Sequence, residues 1–137
     1  MIIDTEQNMM SFGEKIAETL SSPVTIELIG DVGVGKTTLV KGIAKGFGIT
    51  ETVNSPSFTL SKEYNSALMG VTLRHYDFYR LEDAGIMEDE LRESVDDEKV
   101  ITIVEWGKSV EDVLPKCRMK IMLKYLEDGK RDVEIIR

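Results

Sequence analysis

The sequence has little of what disulfides, membrane spans or binding to polyanions require. It contains one cysteine, Cys117, which excludes an internal disulfide, and its start lacks the basic and apolar segments of an export signal. Both absences predict a protein of the reducing cytoplasm. No apolar run approaches the roughly 20 residues of a membrane-spanning helix, so no association with a membrane is predicted. The formal net charge of −8 argues against broad attraction of tRNA or DNA, so any anion must be bound locally.

The composition is typical of a globular protein, and one domain over residues 1–137 is expected. Apolar residues at helical spacing predict helices over residues 8–20, 37–48, 81–94 and 109–114. Short apolar or alternating runs predict strands over residues 23–29, 57–64, 70–79 and 99–106, and two more around Asp128–Gly129. The alternation of strands and helices predicts an α/β fold with a mixed central sheet flanked by helices, and the last two strands predict a C-terminal β-hairpin.

A glycine-rich turn lies in the stretch "TIELIGDVGVGKTTLVKGIAKGFG", residues 25–48. Gly30, Gly35, Lys36 and Thr37 fit the pattern G-x-x-x-x-G-K-[ST], which cradles phosphates with backbone N–H groups and the N-terminus of the following helix. Lys36 would reach the β- and γ-phosphates, and the Thr37 hydroxyl would bind Mg²⁺. A fortuitous turn is the alternative, but this pattern stands between a buried strand and a helix. It therefore predicts a nucleoside triphosphate site in a three-layer P-loop NTPase-like fold.

The identity of the base is predicted from an absence. Proteins with this turn that read guanine usually carry an N-K-x-D or T-K-x-D element after a strand, and the sequence has none. ATP and ADP, with Mg²⁺, are therefore the predicted ligands.

Two carboxylates follow predicted strands, where P-loop hydrolases place a group that holds Mg²⁺. Asp77 follows "VTLRHY", and Glu105 follows "VITIV", a run typical of a central strand because four of its five residues are aliphatic. Both are predicted to function, against the alternative of solvated charges at strand ends. His75 would share a strand face with Asp77, but a partly buried histidine with a backbone partner is favoured over a catalytic one. The lone Trp106 is interpreted as core packing or, alternatively, as a base-stacking or partner-facing residue.

Four stretches together resemble the bacterial TsaE (YjeE/YdiB) family, the P-loop ATPases of the tRNA threonylcarbamoyladenosine pathway. They are "GDVGVGKTTLVKG", "VNSPSFTL", "HYDFYRLED" and "VEWGKSVEDVLP", in the order and spacing of the family. The resemblance covers about residues 8–131. Very many proteins share the glycine-rich turn alone, whereas its combination with the other three stretches is much narrower.

The resemblance implies roles for individual residues. Lys36, Asp77 and Glu105 would be catalytic, and Asp77 and Glu105 would hold Mg²⁺ together with Thr37. The nucleotide-binding positions would be Val32, Gly33, Val34, Gly35, Lys36, Thr37, Thr38, Lys108 and Lys130. The positions of a switch loop that senses the γ-phosphate would be Ser55, Ser57 and Thr59. Trp106 would lie near the nucleotide or a partner surface.

Three positions depart from the usual pattern of the family. Ser57 replaces a threonine and keeps a hydroxyl for contact with metal or phosphate. Met9 stands where the first helix usually carries a threonine near the base or ribose, which leaves a side-chain contact to the base open. Val34 replaces an alanine beside the phosphates and leaves the backbone donors unchanged.

The resemblance also implies partners. The ATPase of this family docks on the transferase TsaD and its partner TsaB and resets that complex between turnovers. It would meet tRNA only through these partners, which suits its negative charge. Two alternatives remain open: a small-molecule kinase, although no arginine-rich lid segment is visible, and a nucleotide-dependent switch without turnover.

Overall fold

The computed structural model describes residues 1–31, 33–54, 56, 61–79 and 85–136. Within these residues, seven strands form one sheet in the order β1-β7-β6-β2-β5-β4-β3. The strands are β1 (Ile2–Ile3), β2 (Val24–Ile29), β3 (Ser61–Ser66), β4 (Val71–Asp77), β5 (Val100–Glu105), β6 (Met119–Tyr125) and β7 (Arg131–Ile136). The central strands β6, β2, β5 and β4 are parallel, whereas β1, β7 and β3 pair antiparallel at the edges. The predicted mixed sheet and the C-terminal hairpin are confirmed.

Helices cover both faces of the sheet. The described helices are α1 (Glu6–Thr19), α2 (Lys36–Gly46) and α3 (Ile86–Asp96). Side chains of β5 alternate between the faces: Ile101 and Ile103 join the core beneath α1 and α2, and Val104 joins Leu91 of α3 in the other core. All of β5 is buried, as its predicted central position requires, and the three-layer fold is confirmed. None of the helices in the described residues is both long and apolar enough to cross a membrane.

Helices α1 and α2, which cover the same face of the sheet, approach closely because Gly42 has no side chain at their contact. A Cβ atom on Gly42 of α2 would lie 2.2 Å from the Met10 carbonyl oxygen of α1, so only glycine fits there. This contact brings the start of α1 beside the start of α2. Met9 Cε lies 3.3 Å from the position that a Cβ on Gly35 would take.

Some element bounds differ from the sequence prediction. β1 was not predicted, because two residues show no periodicity and the strand forms only through pairing with β7. The helix predicted over residues 109–114 is wrong: a 3-10 turn over Gly107–Val110 is continued by further turns before Pro115. The strand predicted over residues 57–64 is observed as β3, with residues 57–60 outside the described residues. Residues 81–84, at the start of the helix predicted over 81–94, also lie outside them.

A buried ion network anchors the segment that follows β5. Arg118 Nε donates to Glu27 Oε1 at 2.8 Å, and Arg118 Nη2 donates to the two carboxylate oxygens of Glu111 at 2.8 and 2.9 Å. Arg118 Nη1 donates to the Pro115 carbonyl at 2.9 Å. Both Arg118 and Glu27 are buried. The network therefore ties residues 111–118 to β2.

Replacing Arg118 by methionine is expected to lower the free energy of unfolding by about 3 kcal/mol, because the Glu27 carboxylate would stay buried without its cation. Urea denaturation measures this loss. The double variant Arg118→Met/Glu27→Gln removes the buried charge as well and should recover part of the stability. A double variant as unstable as the single one would contradict this explanation.

Candidate functional site

The glycine-rich turn links the end of β2 to the start of α2. Gly33 and Gly35 have φ angles of 81° and 111°, a left-handed conformation that glycine adopts without strain. Inside the turn, Val34 N–H donates to the Asp31 carbonyl at 3.2 Å. Gly35 is the N-cap residue of α2 and has no side chain to cap the helix, so the first N–H groups of α2 are left for an acceptor such as an anion. Val32 lies outside the described residues.

Lys36 opens α2 and is 5% exposed. Its Nζ donates to the Gly30 carbonyl at 2.5 Å, lies 3.6 Å from Glu105 Oε1, and lies 4.1 Å from the centroid of the Trp106 ring. Burial lowers the pKa of Lys36 below its ordinary value, while the Glu105 and Asp77 carboxylates oppose that shift. The ammonium therefore sits at the carboxyl end of the parallel strands, where a turn of this kind presents its lysine.

Asp77 and Glu105 end β4 and β5 side by side. They are register partners in the parallel pair, and both are buried. Asp77 Oδ1 accepts a hydrogen bond from Tyr79 N–H at 2.9 Å. The Glu105 carboxylate faces Lys36 with one oxygen and contacts His75 Nε2 with the other. The structure thus gathers both predicted carboxylates around the predicted lysine.

His75 has a partner that the sequence analysis did not favour. The residue is fully buried, and its Nε2 contacts the Glu105 carboxylate instead of the backbone group that was predicted. Register explains the contact: His75 pairs with Ile103, two residues before Glu105, so both side chains lie on one face of the sheet. Among the described residues, His75 Nδ1 has no hydrogen-bond partner. A carboxylate can only accept, so the Nε2–H donates to Glu105. His75 therefore orients Glu105.

The other predicted nucleotide-binding residues lie at different distances from the turn. Thr37 and Thr38 are partly exposed on the first turn of α2, and Thr38 lines a cavity of about 250 Å³ beside the glycine-rich turn. Lys108 lines a second cavity of about 450 Å³, and Asp31 of the turn lines the same cavity. Lys130 is exposed and does not line the first cavity, although both of its chain neighbours do. Contact of Lys130 with a nucleotide stays a prediction.

The predicted switch loop and the lone tryptophan differ in what the structure describes of them. Ser55, Ser57 and Thr59 lie outside the described residues. Trp106 is partly buried against the core on the side of α3, and its ring packs on Tyr79 with centroids 4.9 Å apart. It combines the predicted packing with a position directly over the Lys36 ammonium.

Two residues that the sequence analysis did not single out contact the turn. The Tyr125 hydroxyl donates to the Gly33 carbonyl, and Arg131 Nε donates to the Val34 carbonyl at 2.9 Å. These partners are 92 and 97 residues apart in the chain, so no local pattern could reveal them. One signal in the sequence pointed to this region as a neighbour of the nucleotide site. It was the basic residue that the family carries after a glycine, which the resemblance assigned to Lys130.

The side chains present fit a magnesium nucleotide. Mg²⁺ binds oxygen and usually keeps waters and substrate phosphates around one or two protein groups. The Thr37 hydroxyl and the Asp77 and Glu105 carboxylates are donors of this kind. In the part of the chain that the structure describes, no three His, Cys, Asp or Glu side chains form a complete metal cage.

Three features define the chain as a P-loop nucleotide-binding protein. They are the buried strand β2, the turn with left-handed glycines, and the buried lysine that begins α2. The sequence model of the family described as "Threonylcarbamoyl adenosine biosynthesis protein TsaE" matches residues 3–133. The chain therefore belongs to the TsaE family.

Individual relatives agree with this assignment. The chain is 42% identical to the tRNA threonylcarbamoyladenosine biosynthesis protein TsaE of Bacillus subtilis over 108 residues. These aligned residues make up 79% of this chain and 66% of that protein. It is 34% identical over 139 residues to the protein of the same name from Haemophilus influenzae, with 98% of this chain and 86% of that protein covered. The crystal structure of Bacillus subtilis YdiB superimposes with a TM-score of 0.79 at 32% identity and covers 97% of this chain and 80% of that one.

Proposed function

We propose that this chain is a Mg²⁺-dependent ATPase that serves as an accessory subunit in the synthesis of threonylcarbamoyladenosine in tRNA. It acts on the complex of TsaD and TsaB and does not itself transfer the threonylcarbamoyl group. The main support for ATPase activity is the position of Lys36. Its buried ammonium lies between the Gly30 carbonyl and the Glu105 carboxylate at the start of α2. Membership of the TsaE family supports the pathway.

The turn and the start of α2 supply the contacts for the triphosphate. Backbone N–H groups bind its oxygens, and Lys36 exchanges its bond to the Gly30 carbonyl for bonds to phosphate. Thr37, Asp77 and Glu105 would hold Mg²⁺, which would neutralise charge on the phosphates. The cavity of about 250 Å³, which Ile3 and Met9 line together with the turn, takes the nucleoside.

Charge in the site keeps Lys36 ready for an anion. Burial favours the neutral amine, but phosphate binding needs the ammonium. Glu105 raises the pKa of Lys36 against the effect of burial, and His75 holds the Glu105 carboxylate in place. In the nucleotide-free site the Glu105 carboxylate is therefore the counterion of Lys36, and the phosphates replace it when the nucleotide binds.

Partner dependence follows from charge and from the chemistry of phosphoryl transfer. The net charge of −8 disfavours direct binding of tRNA, so the partner proteins would bind the tRNA. P-loop hydrolases often receive a group in trans that stabilises charge in the transition state. TsaD and TsaB are the proposed source of this stimulation.

ADP release from Mg·ATP, measured for the purified chain alone and with the TsaD–TsaB pair, tests the proposal. Stimulation by the pair that is lost in Lys36→Ala supports an accessory ATPase. Equal slow turnover with and without the pair contradicts it and favours the switch or a kinase whose acceptor is absent from the assay. Transfer of the γ-phosphate to a small acceptor in excess over hydrolysis would favour the kinase.

A further inference from the structure

We propose that Tyr125 and Arg131 form a clamp that holds the glycine-rich turn in its anion-binding conformation before a nucleotide arrives. The inference rests on the proposed function in one respect, that the turn binds phosphates. Tyr125 and Arg131 are positioning residues in this proposal: they act on the turn, and the turn acts on the phosphates. Arg131 also lines the cavity proposed for the nucleoside, so the test below includes a ligand without base or sugar.

The clamp holds two consecutive carbonyl groups of the turn. The Tyr125 hydroxyl donates to the Gly33 carbonyl, and Arg131 Nε donates to the Val34 carbonyl at 2.9 Å. A trans peptide group is planar, and its C=O and N–H point in opposite directions. A donor on the Val34 carbonyl therefore turns the Gly35 N–H away from the hairpin. The same holds for the Gly33 carbonyl and the Val34 N–H, which points to the Asp31 carbonyl inside the turn.

The turn needs such support because it is built from flexible residues. Gly33 and Gly35 both adopt left-handed angles, and glycine loses more conformational freedom on ordering than any other residue. If the turn became ordered only on binding, the lost conformational entropy would lower the affinity for the nucleotide. Carbonyls held in advance reduce the loss.

The two residues of the clamp lie together because both belong to one end of the hairpin. Tyr125 ends β6, Arg131 begins β7, and the two are register partners. Arg131 Cζ lies 4.2 Å from the centroid of the Tyr125 ring, and Arg131 Nη1 donates to the Gly129 carbonyl. Within the connection, Leu126 N–H donates to the Lys130 carbonyl at 2.9 Å.

Hydrogen exchange of the nucleotide-free protein tests the clamp directly. Arg131→Lys keeps the charge but cannot reproduce the planar guanidinium that bonds the carbonyl and covers the ring, and Tyr125→Phe keeps the ring but removes the donor. Both variants should increase exchange at the Val34 amide, whose hydrogen bond to the Asp31 carbonyl depends on the shape of the turn, while leaving that of the central strand β5 unchanged. Lys124→Ala is the matched control, an exposed cation beside Tyr125, and should exchange like the wild type. Unchanged exchange at the Val34 amide in both clamp variants would overturn the proposal.

Affinities for Mg·ATP and for inorganic tripolyphosphate separate the clamp from direct contact with the ligand. Arg131→Lys should weaken both ligands by the same factor, about tenfold, and Tyr125→Phe should weaken both by about fivefold. A loss for ATP alone would mean that Arg131 contacts the base or the sugar. Full affinity in Arg131→Lys would mean that only its charge matters. Either result would overturn the clamp.

The two measurements also distinguish failure of the clamp from failure of the proposed function. Wild-type protein that binds neither Mg·ATP nor tripolyphosphate would contradict the proposed function, whereas the exchange experiment needs no ligand and would still decide the clamp. Wild-type binding with unaffected clamp variants would contradict the clamp alone. If Arg131→Lys does not fold, Tyr125→Phe, which removes one oxygen atom, supplies the same tests.

Discussion

Replacing Lys36 by alanine is expected to weaken the binding of Mg·ATP by at least about 100-fold and to abolish hydrolysis. In the proposed complex the ammonium gives charge-assisted hydrogen bonds to two phosphates, each worth about 1.5–3 kcal/mol, and each 1.4 kcal/mol is tenfold in affinity. The lysine is already buried at the turn, 2.5 Å from the Gly30 carbonyl, so little side-chain freedom remains to be lost on binding. Calorimetric titration with Mg·ATP measures the change.

The matched control for Lys36→Ala is Lys41→Ala, on the same helix. Lys41 is exposed, so its removal changes the net charge equally without touching the turn. Its affinity for Mg·ATP should match that of the wild type. Thermal unfolding of both variants without ligand shows whether the loss in Lys36→Ala comes from the site or from unfolding. A folded Lys36→Ala variant that binds Mg·ATP normally would remove the basis of the proposed function.

Replacing Glu105 by glutamine is expected to lower the rate of ATP hydrolysis by roughly 100-fold while leaving ATP binding within a few-fold of the wild type. The substitution keeps the volume of a buried side chain and removes a charge at the proposed metal site. The phosphate contacts of the turn and of Lys36 remain, so affinity depends less on this residue than turnover does. Hydrolysis measured over a range of Mg²⁺ concentrations, beside binding of ATP, separates the two effects.

Asp77→Asn shows which carboxylate matters more, since both lie at the same edge of the sheet. Glu105 contacts Lys36 and His75, whereas Asp77 accepts a hydrogen bond from Tyr79 N–H. Full hydrolysis in Glu105→Gln together with none in Asp77→Asn would assign the metal role to Asp77. Glu98→Gln removes an exposed charge shortly before β5 and should behave like the wild type.

Features that depend on neighbours in the chain could be predicted from the sequence. The glycine-rich turn is one, because its left-handed glycines and its lysine follow each other within a few residues. The position of Glu105 is another: an aliphatic run predicts a central strand, and the end of such a strand meets the helix start that follows the turn. The hairpin around Asp128–Gly129 belongs here too, since both residues adopt the left-handed angles that a tight connection requires.

Features that depend on distant pairs could not be predicted in the same way. His75 meets Glu105 only through the register of β4 on β5, 30 residues apart in the chain. Arg118 meets Glu27 from 91 residues away, and neither side chain is exposed, although a charged residue alone in sequence is expected at the surface. Arg131 reaches the turn through the order of strands, which brings the hairpin beside β2. Periodicity reports which face of an element is buried, but not which residue lies opposite.

The most direct test of the accessory role counts modified tRNA molecules. TsaD–TsaB, tRNA, ATP and the threonylcarbamoyl donor are combined with this chain, without it, or with Lys36→Ala, and threonylcarbamoyladenosine is measured against the amount of TsaD–TsaB over time. If the ATP cycle resets the complex, many rounds should occur with the wild-type chain and a single round without it or with the variant. Many rounds at the same rate in all three reactions would contradict the account.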